Sequence, residues 1–178
     1  MLWVFGYGSL LWDPGFPVAE KQHARLDGWA RRFCMRSIHH RGTVERPGLV
    51  LALDAEHGAA CEGLALRAEP GTEDATLAYL RERELISSAY LERRLPVALQ
   101  SGVVAEALVY VIDPDHDQYC ALSLEEQAQI IATAVGGRGP NPEYLVNTTR
   151  LLHEMGIPDA ELDWLTHRVN QLTDNRLA

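Results

Sequence analysis

Trp3-Val4-Phe5-Gly6-Tyr7-Gly8-Ser9-Leu10 opens the chain as an apolar, strand-like run with two glycines and a hydroxyl in its middle. Glycine weakens a strand by about 0.5–1 kcal/mol relative to alanine, so the pair needs a reason: a bulge, a tight bend, or close approach of a ligand to the main chain. Gly-x-Gly after a strand suggests a phosphate-cradling turn. This stretch lacks the third glycine, the following helix and the later ribose-binding acid of the dinucleotide fingerprint, which argues against a nucleotide. The reading adopted is that Gly6 and Gly8 free the backbone of Tyr7 to Leu10 to present N–H groups to a small anionic or amide ligand. Backbone donors of this kind hold carboxylates and developing oxyanions.

Outward from this run, the first half of the chain is rich in further strand-like segments: Trp29–Ile38, Gly48–Leu53, Ala60–Arg67, Tyr90–Gln100 and Val103–Ile112. Leu95–Gln100 and Val103–Ile112, joined through Ser101-Gly102, read as a hairpin. One helix interrupts them, from about Thr72 to Arg83. The last third is helical. Ser123 and Glu126 form a capping-box pattern for a helix running to about Val135 and stopping at Gly136. Asn141-Pro142 starts the next, with proline in the first turn where its missing N–H costs nothing. Asp159 caps a final helix through about Leu172. Strands first and helices last give an α+β domain, and five or six short strands in a chain of 178 residues can curl into a small closed barrel with flanking helices. No repeat or linker divides it, so residues 1–178 are read as one domain.

Composition narrows the function. The net charge is −9 with no Lys/Arg-rich block, which argues against nucleic acid as a partner. The N-terminal apolar run is too short for a bilayer, and no basic segment precedes it, so the expectation is a cytoplasmic protein with no membrane association. Cys34, Cys61 and Cys120 are sparse and odd in number, which reads as reduced thiols. A cysteine nucleophile with His39 or His40 as base has no local signature. His39 and His40 end a strand-like run, so their side chains point to opposite faces and share no metal. Asp115-His116-Asp117 follows Asp113-Pro114 and reads as a solvated turn. No HExxH or Cys/His array supports zinc.

The helix near Thr72 carries the candidate for chemistry. Leu77 and Leu80 fall on one stripe that continues to Glu84, with Leu85 and Ile86 beside it, while Glu82 and Arg83 point elsewhere, towards water. Burial raises a carboxyl pKa and makes it a usable proton carrier near neutrality. The alternative is that Arg81-Glu82-Arg83-Glu84 is a solvated charge run.

Four segments in order resemble the ChaC-like γ-glutamylcyclotransferases: Trp3 to Leu10 with Trp12; Arg32-Phe33, His40-Arg41-Gly42-Thr43 and Pro47-Gly48; Tyr79-Leu80 with Arg83-Glu84; and Gly139-Pro140-Asn141 with Glu143-Tyr144-Leu145. Together they span about Trp3 to Leu172. The resemblance implies a small closed β-barrel and cleavage of glutathione to 5-oxoproline and cysteinylglycine, with no metal or organic cofactor. It implies Glu84 as the catalytic acid/base. It implies a γ-glutamyl pocket on Val4, Phe5, Gly6, Tyr7, Gly8, Ser9 and Leu10, with Tyr144 as a pocket wall. The chain departs from many relatives at His39, where they carry Asp, and at Leu85 to Ala89, where they carry Lys-Gly-Gly-Tyr; this is similar to the bacterial branch. Arg41 and Arg138 are candidates to meet the glycyl carboxylate. Two alternatives stay open: a cyclotransferase for other γ-glutamyl amines or dipeptides, and a non-catalytic γ-glutamyl-binding regulator of ion transport.

Overall fold

The computed structural model describes residues 1–177. Its strands are β1 (Trp3–Gly6), β2 (Val18–Ser37), β3 (Gly48–Ala68), β4 (Tyr90–Leu99) and β5 (Val104–Ile112), and they form a closed barrel in the order β1-β3-β2-β4-β5. The barrel and the α+β class agree with the sequence reading. β1 pairs antiparallel with β3, Trp3 opposite Arg67, and parallel with β5, Trp3 opposite Ala107. β4 and β5 form the expected hairpin, with Gly102 at φ +87° in the turn.

Two strands are longer than the sequence suggested. Gly48–Leu53 and Ala60–Arg67 are one strand of 21 residues, and β2 begins at Val18 rather than Trp29. Gly58 in β3 and Gly28 in β2 have φ of +82° and +85°. A left-handed glycine inside a strand bends it without ending it, as in a bulge. The sequence reading took the polar stretch around Gly58 for a break.

The chain divides into two compact units. The first comprises Met1–Arg32 and Ala52–His116. It holds β1, the greater part of β2 and β3, β4, β5 and helix α1 (Glu73–Glu84), around Val4, Phe5, Leu26, Leu53, Leu66, Leu80 and Leu108. The second comprises Phe33–Leu51 and Asp117–Ala178. It holds helices α2 (Leu124–Ile131), α3 (Asn141–Glu154) and α4 (Ala160–Leu177), with Phe33, Leu49, Leu51, Ile131, Leu145 and Leu152 fully buried.

The capping box at Ser123 is present in both directions, and Asp159 Oδ1 accepts the N–H groups of Glu161 and Leu162 at the start of α4. α2 ends at Ile131, four residues early, because Val135–Gly136 (β6) pairs with Gly139–Pro140 (β7). Gly136 is packed against main chain: a Cβ there would lie 2.4 Å from the Gly42 nitrogen. Asn141 ties α3 to the start of β3, donating to and accepting from the Leu49 backbone at 2.8 Å each. His39 and His40 lie beyond the end of β2, where their carbonyls accept the N–H groups of Gly137 and Arg138.

Candidate active site

β1 ends at Gly6, and the chain then makes one 3-10 turn over Ser9–Leu11. The turn folds back on Gly6, where a Cβ would lie 3.3 Å from Leu10 Cβ. From the facing strand, a Cβ on Gly63 would lie 2.3 Å from the Gly6 carbonyl oxygen. The close approach therefore requires a residue without a side chain at Gly63, whereas a side chain at Gly6 would be tight and would push Leu10 by a few tenths of an ångström. Gly8 enters the turn at φ −136°, ψ −122°, and its carbonyl accepts the Leu11 N–H at 3.0 Å, the first bond of the turn. The N–H groups of Gly8, Ser9 and Leu10 precede that bond, as the leading donors of any helical turn do.

Tyr7 is held at both ends. Its hydroxyl donates to the Tyr110 carbonyl at 2.6 Å, and its own carbonyl accepts from Arg31 Nε at 2.8 Å. A second nitrogen of Arg31 donates to the Glu62 carbonyl. Val4 and Phe5 are fully buried, and as neighbours on a strand they point to opposite faces of the barrel wall.

The buried stripe of α1 is Thr76, Leu80 and Arg83, one position away from the stripe read in the sequence. Glu82 faces water, but Arg83 does not: it is 7% exposed. The correction has a physical cause. The segment after the 3-10 turn lies over Arg83 and supplies acceptors that a buried guanidinium needs. Arg83 donates to Ser9 Oγ at 2.8 Å, the Asp13 carbonyl at 2.7 Å and Tyr79 Oη at 3.2 Å. Its Nε lies 3.2 Å from Glu84 Oε1, and the Glu84 side chain is 13% exposed. Gly15 passes directly beneath Tyr79, where a Cβ would come within 2.0 Å of the Tyr79 hydroxyl.

On β5, Tyr110 donates to Glu92 Oε2 at 3.1 Å across the β4–β5 register, and Arg81 pairs with the same carboxylate at 2.8 Å. Burial, then the charge of Glu92 and its hydrogen bond, and then the charge of Glu84 push the Tyr110 phenol well above its ordinary range. Glu84 thus lies beside the ionic link to Arg83 and within electrostatic reach of Tyr110. Arg31, Tyr79, Arg83, Glu92 and Tyr110 were not singled out from the sequence as parts of this arrangement. For Arg83 the signal was present: it falls seven residues after Thr76 and three after Leu80.

Tyr144 is placed in the second unit. It is buried, its hydroxyl accepts the Leu51 N–H at 3.2 Å, and its ring packs edge-on to Phe33 at 6.0 Å between centroids. The Arg41 guanidinium lies 5.8 Å from the Tyr144 ring centroid. Arg41 is 3% exposed and is spent on the Pro140 carbonyl at 3.0 Å and Glu143 at 3.6 Å, so it is built into that unit and not presented to a ligand.

Comparison with known proteins gives a consistent picture. Residues 2–172 match the family model of the ChaC-like proteins. The chain is 36% identical over 172 residues to the glutathione-specific γ-glutamylcyclotransferase of Escherichia coli (strain K12), covering 96% of this chain and 74% of that one. It is 34% identical over 178 residues to γ-glutamylcyclotransferase 2-3 of Arabidopsis thaliana, covering 96% and 89%. Among solved structures, a γ-glutamyl cyclotransferase specific to glutathione from yeast superposes with a TM-score of 0.86 at 25% identity over 96% of each chain. The chain belongs to the ChaC-like family.

Proposed function

We propose that this protein is a glutathione-specific γ-glutamylcyclotransferase that releases 5-oxoproline and cysteinylglycine, with Glu84 as its acid/base. The relatives' names supply the substrate. The observation that carries the reading is the placement of Glu84, mostly buried, one guanidinium away from the glycine-bearing turn.

The γ-glutamyl group carries its own nucleophile. Its α-nitrogen attacks the γ-carbon, a five-membered ring forms, and the bond from the γ-carbon to the cysteinyl nitrogen breaks. No serine or cysteine nucleophile is needed. Folding the substrate into the attack geometry supplies a large share of the barrier reduction, since oriented intramolecular reactions reach effective molarities of about 10⁵–10⁸ M. With a reference α-amino pKa near 8, deprotonating the substrate ammonium at pH 7 costs only about 1.4 kcal/mol. Glu84 takes that proton and returns it to the cysteinyl nitrogen as it leaves, and the second proton that the ring nitrogen sheds completes the ammonium of cysteinylglycine. Proton transfer of this kind is worth about 10²–10⁴-fold. The N–H groups leading the 3-10 turn hold the γ-oxyanion or the α-carboxylate, one such donor being worth about 10²–10³-fold. In this reading Val4 and Phe5 supply the barrel wall, and Gly6, Tyr7, Gly8, Ser9 and Leu10 supply the cradle. The proposed setting is the cytoplasm; among the described residues no helix is long and apolar enough to cross a membrane.

Incubation with reduced glutathione and chromatographic detection of 5-oxoproline tests the activity directly. Glu84→Gln is expected to lower turnover by at least 10²-fold with the circular dichroism spectrum unchanged. Undiminished turnover would remove Glu84 from the mechanism. A faster rate on γ-glutamyl-alanine than on glutathione would replace the substrate assignment.

A further inference from the structure

We propose that Arg83 is a positioning residue that couples the Glu84 carboxylate to the substrate-binding turn and keeps it in its charged form. The proposal rests on the reading of Glu84 as the proton carrier.

Consecutive residues on a helix point about 100° apart and do not normally face each other. Here they do, because α1 ends at Glu84 and Leu85 closes it at φ −98°, ψ 16°. The Glu84 side chain lies along the guanidinium instead of projecting from a continuing helix, with Oε1 3.2 Å from Arg83 Nε. The other face of the fork reaches the turn: Nη2 donates to Ser9 Oγ at 2.8 Å, and Nη1 donates to the Asp13 carbonyl at 2.7 Å and to Tyr79 Oη at 3.2 Å. One planar, permanently charged group thus fixes three segments: the end of α1, the 3-10 turn, and the stretch that follows it. Lysine could supply the charge but not this fork.

The charged surroundings of Glu84 make Arg83 the natural partner. From α1 come Arg83 and the Tyr79 hydroxyl that Arg83 holds. From β5 comes Tyr110, whose phenol stays protonated. From β4 comes Glu92, which is paired with Arg81 and Tyr110. A cation in contact with a carboxylate favours the ionised form, the form able to accept a proton from the substrate ammonium. A purely structural Arg83 would affect stability but leave the pH dependence of the reaction where it is.

The test uses the full chain, with 5-oxoproline release from reduced glutathione measured across pH for Arg83→Gln, Arg83→Lys, Ser9→Ala and Glu84→Gln, and circular dichroism as the check of fold. Arg83→Gln is expected to lower kcat/KM by about 10²-fold and to move its acid limb up by about one pH unit. Arg83→Lys is expected to return the limb to its wild-type position while kcat remains about tenfold low. Ser9→Ala is expected to raise KM several-fold without moving the limb. A folded Arg83→Gln with the wild-type acid limb overturns the proposal whatever its kcat/KM; an inactive Glu84→Gln beside it leaves the reading of Glu84 standing. If Arg83→Gln does not fold, wild-type kcat/KM in both Arg83→Lys and Ser9→Ala overturns the proposal equally. Full activity in Glu84→Gln overturns both.

Discussion

Gly15 sits at φ +74° with the Tyr79 hydroxyl where its Cβ would be. A side chain there meets two penalties, the left-handed backbone and the clash, and Tyr79 must move away from Arg83 to relieve the second. Gly15→Ala is expected to lower the unfolding free energy by about 1–3 kcal/mol, read from urea denaturation, and to reduce kcat/KM as the Arg83 bonds loosen. At this scale the sequence marked the turn that carries Gly6 and Gly8, but it read the stripe of α1 as Leu77, Leu80 and Glu84 where the buried residues are Thr76, Leu80 and Arg83. About Arg31 it was uninformative, and for Arg83 it gave a helical spacing but no partners, for one reason. A charged residue in a sequence carries no direction, and most of the bonds of these two arginines end on carbonyl oxygens, at Tyr7, Glu62, Asp13 and Pro14. No side-chain pattern marks a carbonyl as an acceptor. Gly15, likewise, was readable as one more turn residue until Tyr79 was placed above it.

Elements with chemical punctuation were read well. The Ser123 capping box and Asp159 at the start of α4 signal through local bonding, and Gly102 in the hairpin and Pro142 in the first turn of α3 signal through backbone conformation. Ends set by tertiary pairing were not legible: α2 stops where β6 finds β7, and β3 runs on through Gly58. Between elements, α2 and α4 are joined by Arg168 and Glu125 at 2.8 Å. The hydrogen bond from Arg168 leads in holding the Glu125 carboxyl down at about 2, from an ordinary value of 4.5. A carboxyl depressed in the folded state contributes stability above its unfolded pKa and loses it as pH falls towards the folded one. The urea midpoint of the wild type should therefore fall between pH 4.5 and pH 2. In Glu125→Gln the fall over that interval should be smaller. The pair is exposed, so the difference is expected to shrink further in high salt.

At the scale of the molecule, the barrel and the α+β class were legible because strand-like runs precede capped helices. The division into two compact units was not, because β2 and β3 contribute residues to both. The single-domain reading is proposed on that continuity. Trp3, Trp12 and Trp29 lie in the first unit, whereas Trp164 lies with α2, α3 and α4 in the second, so Trp164→Phe confines the fluorescence to the first unit. Denaturation followed by tryptophan fluorescence and by helical circular dichroism is expected to give one coincident transition, and separated midpoints would divide the chain into two domains.

The pairing of β1 has a further consequence for how the molecule is made. Trp3 to Gly6 leave the ribosome before either partner, since the antiparallel one ends at Ala68 and the parallel one at Ile112. Joining residues so distant in the chain means closing long loops before any contact rewards it, which slows the late steps. A nascent chain arrested before Val104 would hold its glycine-bearing segment against one neighbour at most. The glycine-bearing strand is thus secured on both sides only after the last strand of the barrel has followed it out.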